Sequence, residues 1–570
     1  MSTAWSAKTR QETVSGAGEK EFDLIIIGGG ITGAGIAREC ALRKLSFCLL
    51  DKNDFAFGTS SRSSKLFHGG LRYLASGEFG LVRESTVERN WLRCHFPNLV
   101  RPLAFVYPAF QNGGSKAIKV RLAVFLYDLI SNFFSKYKNY RRGRIFKASF
   151  IKEIEPAITL EDPDLGEMTI AGFYYDTNCD DARVTLEIIK ESINSGNNES
   201  TALNYCHVNY FLTDDRGKAV GVKATDLING IEFTVKGRCV VSAAGIWTDQ
   251  VLSAGSYCDE RIFPTKGVHI IVPSERLGNR NAFGLTSLDD GRFFFILNRD
   301  RVSVIGTTDT AYPTSSSNLD EPWCTREDCD YLLNTVNRLF PHARLGDRDI
   351  IGTYAGIRPL IRPEKAENES AVSRRHEIFQ TNDGIVAIAG GKSTTHRLMA
   401  EDLLFYLVKI GYLKRFSEEE YNRRGFSRQP FKIGITLKEF DRILDENNYW
   451  NLAHPDQIKH FYTQYGRGAF DIFERINDNP ACGVPLLDDY PYCEAEINHI
   501  LEFECAPRLI DIMCRRTEAQ WAVWHHKQET LAKKVAKIMT AYYSWDEQEK
   551  NKQLQEYLDY VGKTISFLKM

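Results

Sequence analysis

No apolar run in this 570-residue chain is long enough to cross a bilayer, and the longest clusters, such as Leu122 to Ile130, are broken by residues such as Asp128. Any membrane contact must be peripheral. Charge of one sign is missing too: 72 Lys and Arg stand against 74 Asp and Glu, and a net charge of −2 predicts no bulk affinity for nucleic acid. The 13 Cys include no CxxC pair, and their odd number argues against a disulfide framework, so a reducing compartment is expected. Residues Met1 to Lys20 lack the apolar core of a secretory signal and read as a flexible tail. Lys8 and Arg10 leave a mitochondrial association open, although Glu12, Glu19 and the missing apolar face count against a presequence. Internal repeats and D-x-D-x-D calcium loops are also absent. His525-His526, in a Trp-flanked run, reads as packing, and no metal site is expected.

What remains is the balance of an ordinary enzyme, 43% hydrophobic and 26% charged, with a length that implies two or three domains. Asp23 to Asp51 holds a complete dinucleotide-binding βαβ unit. Leu24 to Ile27 is an apolar, β-branched run of the kind a buried parallel strand needs, and it stops at Gly28-Gly29-Gly30. Gly28 permits the tight turn, Gly30 lets backbone approach a pyrophosphate, and Gly33 lets the following helix lie close on the sheet. The phosphates would then meet free N–H groups and the positive end of the helix dipole. A second strand, Ser46 to Leu50, ends in Asp51, whose carboxylate suits the two hydroxyls of an adenosine ribose.

Beyond this unit, strand-like and helical patterns alternate. Asp180 to Ser195 predicts a helix, Tyr205 to Val208 a strand, and Asp214-Asp215-Arg216-Gly217 a hairpin turn into Ala219 to Lys223. Gly237 to Ala244 is another buried strand ending in a small-residue turn, and Asp383 to Gly391 repeats the strand-into-glycine design before a helix from Lys392 to Leu404. The cofactor domain is therefore discontinuous. After Arg424 the character changes, and Cys493 to Tyr560 is strongly helical. Just after the βαβ unit, Thr59-Ser60-Ser61-Arg62-Ser63-Ser64-Lys65 is a dense run of hydroxyls and bases that suits phosphates and the edge of a flavin ring.

The motifs IIIGGGITGAGIA, GTSSRSSKLFHGGLRYL, CDDARV (Cys179 to Val184), KGVHIIV (Lys266 to Val272), IGTTDT (Ile305 to Thr310), YAGIRPL (Tyr354 to Leu360), GGKSTTHR (Gly390 to Arg397) and CAPRLIDIMCRRT (Cys505 to Thr517) together resemble the FAD-dependent glycerol-3-phosphate dehydrogenase family. The resemblance runs from about residue 21 to the end, and SSKLFHGGLRYL is specific. It implies an α/β fold: a Rossmann-like FAD-binding domain of the D-amino-acid-oxidase/glutathione-reductase type over 21–424, a β-rich substrate domain inserted at about 76–175 and 260–355, and an α-helical C-terminal domain over 425–570. The implied reaction oxidises sn-glycerol 3-phosphate to dihydroxyacetone phosphate with non-covalent FAD, passing electrons to a membrane quinone or, in an oxidase branch, to oxygen. Homodimers occur in the family. The expected location is cytoplasmic, peripheral on the inner face of the cell membrane.

A phosphomonoester needs fixed cations. Arg72, Arg358 and Arg374 resemble the family's substrate-phosphate contacts, with Tyr73 as a hydroxyl donor. For Arg358, inside the apolar AGIRPL, an anionic ligand is the expected reason for burial. His68 and His269 are the base candidates, since both lie in matched motifs. Lys392 follows a strand-end glycine pair, where it could stabilise negative charge near the reduced ring. His396 stands where relatives often carry Tyr. On the cofactor side, Gly28, Gly30, Gly33, Asp51 and Lys52 are assigned to the ADP half and Thr59, Ser60, Ser64, Lys65 and Leu66 to the flavin side. Val208 is placed at adenine, Ala244 and Gly245 close the pocket, and Arg358, Gly391, Lys392, Ser393 and Thr394 face the ribityl chain and the flavin O2 edge. An amino-acid or sarcosine-type oxidase and a catalytically silent flavin scaffold remain as alternatives, and the several Arg with GGLRYL favour the phosphate substrate. Finally, from Lys116 to Lys147 nine bases (Lys116, Lys119, Arg121, Lys136, Lys138, Arg141, Arg142, Arg144, Lys147) face one acid, Asp128, among Phe133, Phe134, Tyr137 and Tyr140. That pattern fits an anionic-lipid surface as well as a solvated helix whose aromatics pack inward.

Overall fold

The computed structural model describes residues 5–74, 77–112, 116–195, 199–255, 257, 259–286, 292–313, 318–362, 375–413 and 426–569. The expected Arg374 contact and the Arg424 boundary lie outside them.

The first strand, Glu21–Ile27, is buried along almost its whole length and pairs in parallel with Phe47–Leu50 on one side and Ile231–Ser242 on the other. Thr201–Leu203 and Val386–Gly390 extend the parallel core at its two ends. His376–Gln380 adds an antiparallel edge, and the hairpin Cys206–Thr213/Ala219–Asp226 pairs onto Ile231–Ser242. A strand buried on both faces has no need of alternation, which is why these segments read as continuous apolar runs. Helices Ile31–Leu42, Asp181–Ser195 and His396–Lys409 cover one face, where Ile26, Ala37, Leu49, Ile188 and Leu403 share a core.

A second, mixed sheet takes its strands from 66–178 and 262–361. It therefore begins at Leu66–Phe67, earlier than the expected insertion boundary near residue 76. Its long members are Arg101–Phe110, Gly166–Asn178, Ile262–Pro273 and Gly352–Ile361. The helix Ala117–Phe133 lies on this sheet through Val120, Val124, Tyr127 and Ile130. From Leu437–Asn447 to Glu547–Thr564 the chain is helical around its own core, which includes Phe440, Phe461, Ile472, Ile500 and Val535.

The tail expectation is corrected. Residues 5–20 are docked: Arg10–Gly18 is a helix whose Val14 and Ala17 pack into the core beneath the parallel sheet. Trp5 packs 5.3 Å from Phe55, donates its N–H to the Glu502 carbonyl and accepts from the Cys505 N–H. A segment this polar pays for its order through buried hydrogen bonds, which composition does not show.

Candidate flavin and substrate site

An elongated cavity opens where Glu21–Ile27 and Val386–Gly390 end, and the glycine turn forms its floor. Gly28 has φ +111°, and a Cβ there would lie 2.5 Å from the Ala243 carbonyl oxygen. A Cβ on Gly33 would lie 1.9 Å from the Gly28 oxygen, so only glycine lets the helix Ile31–Leu42 sit this close. Gly30 lines the cavity at the helix start, and Ser60 Oγ accepts from the Ile31 N–H at 2.9 Å, leaving other first-turn N–H groups for an anion. Asp51 accepts from the Gly29 and Asn53 N–H groups at 2.6 and 2.9 Å. Burial raises its carboxyl to about 7 against those two bonds, which favour the charged form. Two ribose hydroxyls donating into the same carboxylate would draw it back toward ionisation. A cradle without Cβ atoms, a helix start and a desolvated acceptor fit the ADP half of FAD.

Thr59, Ser60, Lys52, Val208, Ala244 and Gly245 line this cavity, as do Gly391, Lys392 and Ser393 at its far end. Several carry structural duties as well: Thr59 Oγ1 donates to the Ile357 carbonyl at 2.6 Å, and Lys52 pairs with Asp320 at 2.9 Å. Ser63, from the expected hydroxyl run, lines it too; Phe57, Asp181, Trp247 and Gln250 also line it and were not singled out, although Asp181 lies within the CDDARV motif.

Four residues assigned to the flavin side have their side chains engaged within the fold. Lys65 is buried, and its ammonium donates to Asp181 at 2.7 Å and to the Ser61 carbonyl at 3.2 Å. Burial opposes that charge, yet Asp181 and Asp180 hold its pKa above the ordinary range. Leu66 is a buried strand residue paired with Asn178, Ser64 Oγ lies 2.9 Å from His269 Nε2, and the buried Thr394 donates to the His68 carbonyl. None of the four is in the cavity wall. His396 is likewise buried: desolvation lowers its pKa to about 4, and Nδ1 faces the Ser393 carbonyl at 2.8 Å, which is a packing role.

The substrate-side residues fall into two groups. In the first, Arg72 Nη2 donates to Tyr73 Oη at 3.1 Å, the Lys392 ammonium lies 3.7 Å from the Tyr73 ring centroid, and the His68 ring stacks 6.3 Å from Tyr73. Ser85, 3.5 Å from Lys392 Nζ, and Phe295, 6.1 Å from His68, complete it and were missed, since neither belongs to a recognisable motif. Lys392 joins this group to the cavity. In the second, buried His269 stacks 4.8 Å from Tyr354. Burial, then Arg358 and Lys65, lowers its pKa to about 3, so the ring is neutral. Arg358 Nη1 pairs with Asp309 at 2.9 Å and Nη2 donates to Thr307 Oγ1 at 2.9 Å. Arg358 is half-buried, and Asp309 supplies an anion to it within the fold.

Residues 23–395 match the family described as FAD dependent oxidoreductase, and residues 436–550 match the C-terminal domain of alpha-glycerophosphate oxidase. Fold and cavity together define an FAD-dependent oxidoreductase with a helical C-terminal domain. The chain is 30% identical over 557 residues to glycerol-3-phosphate dehydrogenase 2 of Mycobacterium tuberculosis, covering 95% of this chain and 88% of that protein. It is 36% identical over 463 residues to aerobic glycerol-3-phosphate dehydrogenase of Staphylococcus aureus, covering 80% and 79%. The structure of glycerol-3-phosphate dehydrogenase from Bacillus halodurans complexed with FAD superposes with a TM-score of 0.76 at 28% identity, over 99% of both chains. The chain belongs to the FAD-dependent glycerol-3-phosphate dehydrogenase family.

Proposed function

We propose that this chain oxidises sn-glycerol 3-phosphate to dihydroxyacetone phosphate and delivers the electrons to a membrane quinone. The observation that carries the first half is the convergence of Arg72, Tyr73, His68 and Lys392 at one end of a dinucleotide cavity. Bound FAD supplies the acceptor for the hydride that leaves C2. Arg72, with the Tyr73 hydroxyl, is suited to the phosphate dianion, and Arg358 extends the positive field although Asp309 offsets it. His68 is the better base for the C2 hydroxyl, because a proton on the buried His269 would be opposed by Arg358 and Lys65. Lys392 is placed to hold negative charge as it develops. Anaerobic addition of glycerol 3-phosphate to the holoenzyme should bleach the visible absorbance of the oxidised flavin. An unchanged spectrum would overturn the reading in favour of another substrate or a silent scaffold.

Support for the quinone comes from the helix Ala117–Phe133, which is apolar on two faces. Opposite its packed side, Ile118, Leu122, Phe125, Leu129 and Phe133 form a stripe exposed by 75, 57, 63, 49 and 74%. Among the aromatics weighed above, Phe133, Phe134 and Tyr140 face solvent, while Tyr137 packs on His95. Lys119, Arg121, Arg141, Arg142 and Arg144, on this helix and the segment after it, are exposed as well. Such a face lies well in the headgroup layer of an anionic bilayer, where each base contributes roughly 1 kcal/mol. No described helix is long and apolar enough to cross a membrane. The R141A/R142A/R144A variant should lose about 100-fold in affinity for anionic vesicles in sedimentation assays, as three such contributions predict. Peroxide formation at full rate without lipid or quinone would instead assign oxygen as the acceptor.

A further inference from the structure

Arg10, the first residue of the helix Arg10–Gly18, is 4% exposed and spends its whole guanidinium inside the protein. Nε donates to Asp226 Oδ1 at 2.8 Å, Nη1 to Asn204 Oδ1 at 3.0 Å, and Nη2 to the Asn204 carbonyl and the Cys206 sulfur. Asn204 occupies the turn between Thr201–Leu203 and Cys206–Thr213. That turn leads directly into Cys206, His207 and Val208, which wall one end of the cavity beside Asp51. Its backbone is tied to the ribose acid itself: the Cys206 N–H donates to the Asp51 carbonyl at 2.7 Å, and the Tyr205 N–H to the Asn53 carbonyl at 2.8 Å. Arg10 therefore grips, from outside, the strip of chain against which the adenosine half must lie.

The same N-terminal segment reaches two other parts of the fold. Trp5 packs on Phe55, whose ring would be 2.5 Å from a Cβ on Gly29, so it backs the phosphate turn. Ser6 Oγ donates to the Leu501 carbonyl at 2.8 Å and lies 2.9 Å from the Tyr542 hydroxyl, which ties the segment to the helical domain. Asn204 closes the circuit, since its amide donates to Asp54 Oδ1 at 2.8 Å and to the Cys505 carbonyl at 3.1 Å. Three stretches distant in sequence, around residues 5–10, 204–206 and 505–516, thus meet behind the ADP half of the site.

We infer that the N-terminal segment is a strap that retains FAD, with Arg10 as the positioning residue that fixes the adenine-facing turn. Without Arg10, Asn204 keeps its bonds to Asp54 and Cys505 but loses those that hold its own carbonyl and the start of the Cys206–Thr213 strand. The turn then relies on its remaining bonds, those to the Asp51 and Asn53 carbonyls among them, and loosens, so the cofactor leaves faster. An ion pair placed only to stabilise the fold would have no reason to address the backbone of this turn.

The test follows FAD release from the holoenzyme by the rise of flavin fluorescence after dilution, at a fixed offset below each variant's own thermal midpoint. Arg10→Ala should release FAD at least about tenfold faster than the unaltered protein. Arg10→Lys, which can pair with Asp226 but cannot also clamp Asn204, should fall between them. Ser6→Ala cuts the strap at the helical domain without touching the turn and should accelerate release about two- to fivefold. Ile472→Val, a cavity in the distant helical core, controls for lost stability and should leave release unchanged. Release from Arg10→Ala within twofold of the unaltered protein overturns the inference, and so does equal release from Ile472→Val. The assay uses no substrate, so its outcome is independent of the glycerol 3-phosphate reading.

Discussion

Replacing Asp54 by alanine is expected to cost about 3–5 kcal/mol of stability, the usual penalty for stranding buried cations by removing their anion. Asp54 is fully buried and takes Arg515 Nε at 2.5 Å, both terminal nitrogens of Arg516 and the Asn204 amide. Burial would raise its pKa, but Arg516 and then Arg515 outweigh burial and hold it down to about 2. The sign follows from that depression. A carboxyl whose folded pKa lies below its ordinary 3.8 contributes stability that is complete above about 4 and lost as pH falls toward 2. The unaltered protein should therefore show an acid transition in that window which D54A lacks. Denaturant unfolding followed by helical-domain fluorescence measures the loss. A D54A protein within about 1 kcal/mol of the parent would show that these pairs are solvated in solution.

The contrast between Asp51 and Asp54 also shows where sequence reading succeeds. Asp51 was legible because its partners are local: a strand ends, a glycine turn follows, and the Gly29 and Asn53 N–H groups lie within one βαβ unit. Asp54, three residues on, was not, because the arginines that define it are 461 and 462 residues away. The motif CAPRLIDIMCRRT was visible, but its purpose was not. The partner of Lys65 was hidden for the same reason: in sequence it follows a run of hydroxyls, and in the fold it faces Asp181, 116 residues later. For Arg358 sequence suggested an anionic ligand and could not show Asp309, 49 residues earlier, which pairs with it in the fold. Arg10 was read as part of a flexible tail because a charge buried by three nonlocal partners leaves no periodic trace. Apolar periodicity reported the sheets and helices well; buried charge pairing, which has no period, is what it missed.

Lys392→Met is expected to lower the rate of flavin reduction by about 10²–10³-fold, the range found when a group aimed at developing charge is removed from a desolvated site. The argument rests on how the side chain is held. Lys392 leaves the strand Val386–Gly390 through a glycine turn and lines the cavity, while its ammonium sits 3.7 Å over the Tyr73 ring and 3.5 Å from Ser85 Oγ. An aromatic face and a hydroxyl orient the ammonium. Lys392 thus stands where the cavity meets the Arg72–Tyr73 pair. Methionine preserves length and packing while removing the charge. The expected signature is therefore a fall in the reduction rate at saturating glycerol 3-phosphate, with FAD content unchanged by absorbance. Arg72→Ala should act differently. A phosphate contact made equally in ground and transition states raises KM and leaves kcat nearly intact. Stopped-flow reduction of both variants separates the two roles, and a Lys392→Met enzyme reducing its flavin within fivefold of the parent would remove Lys392 from the chemistry.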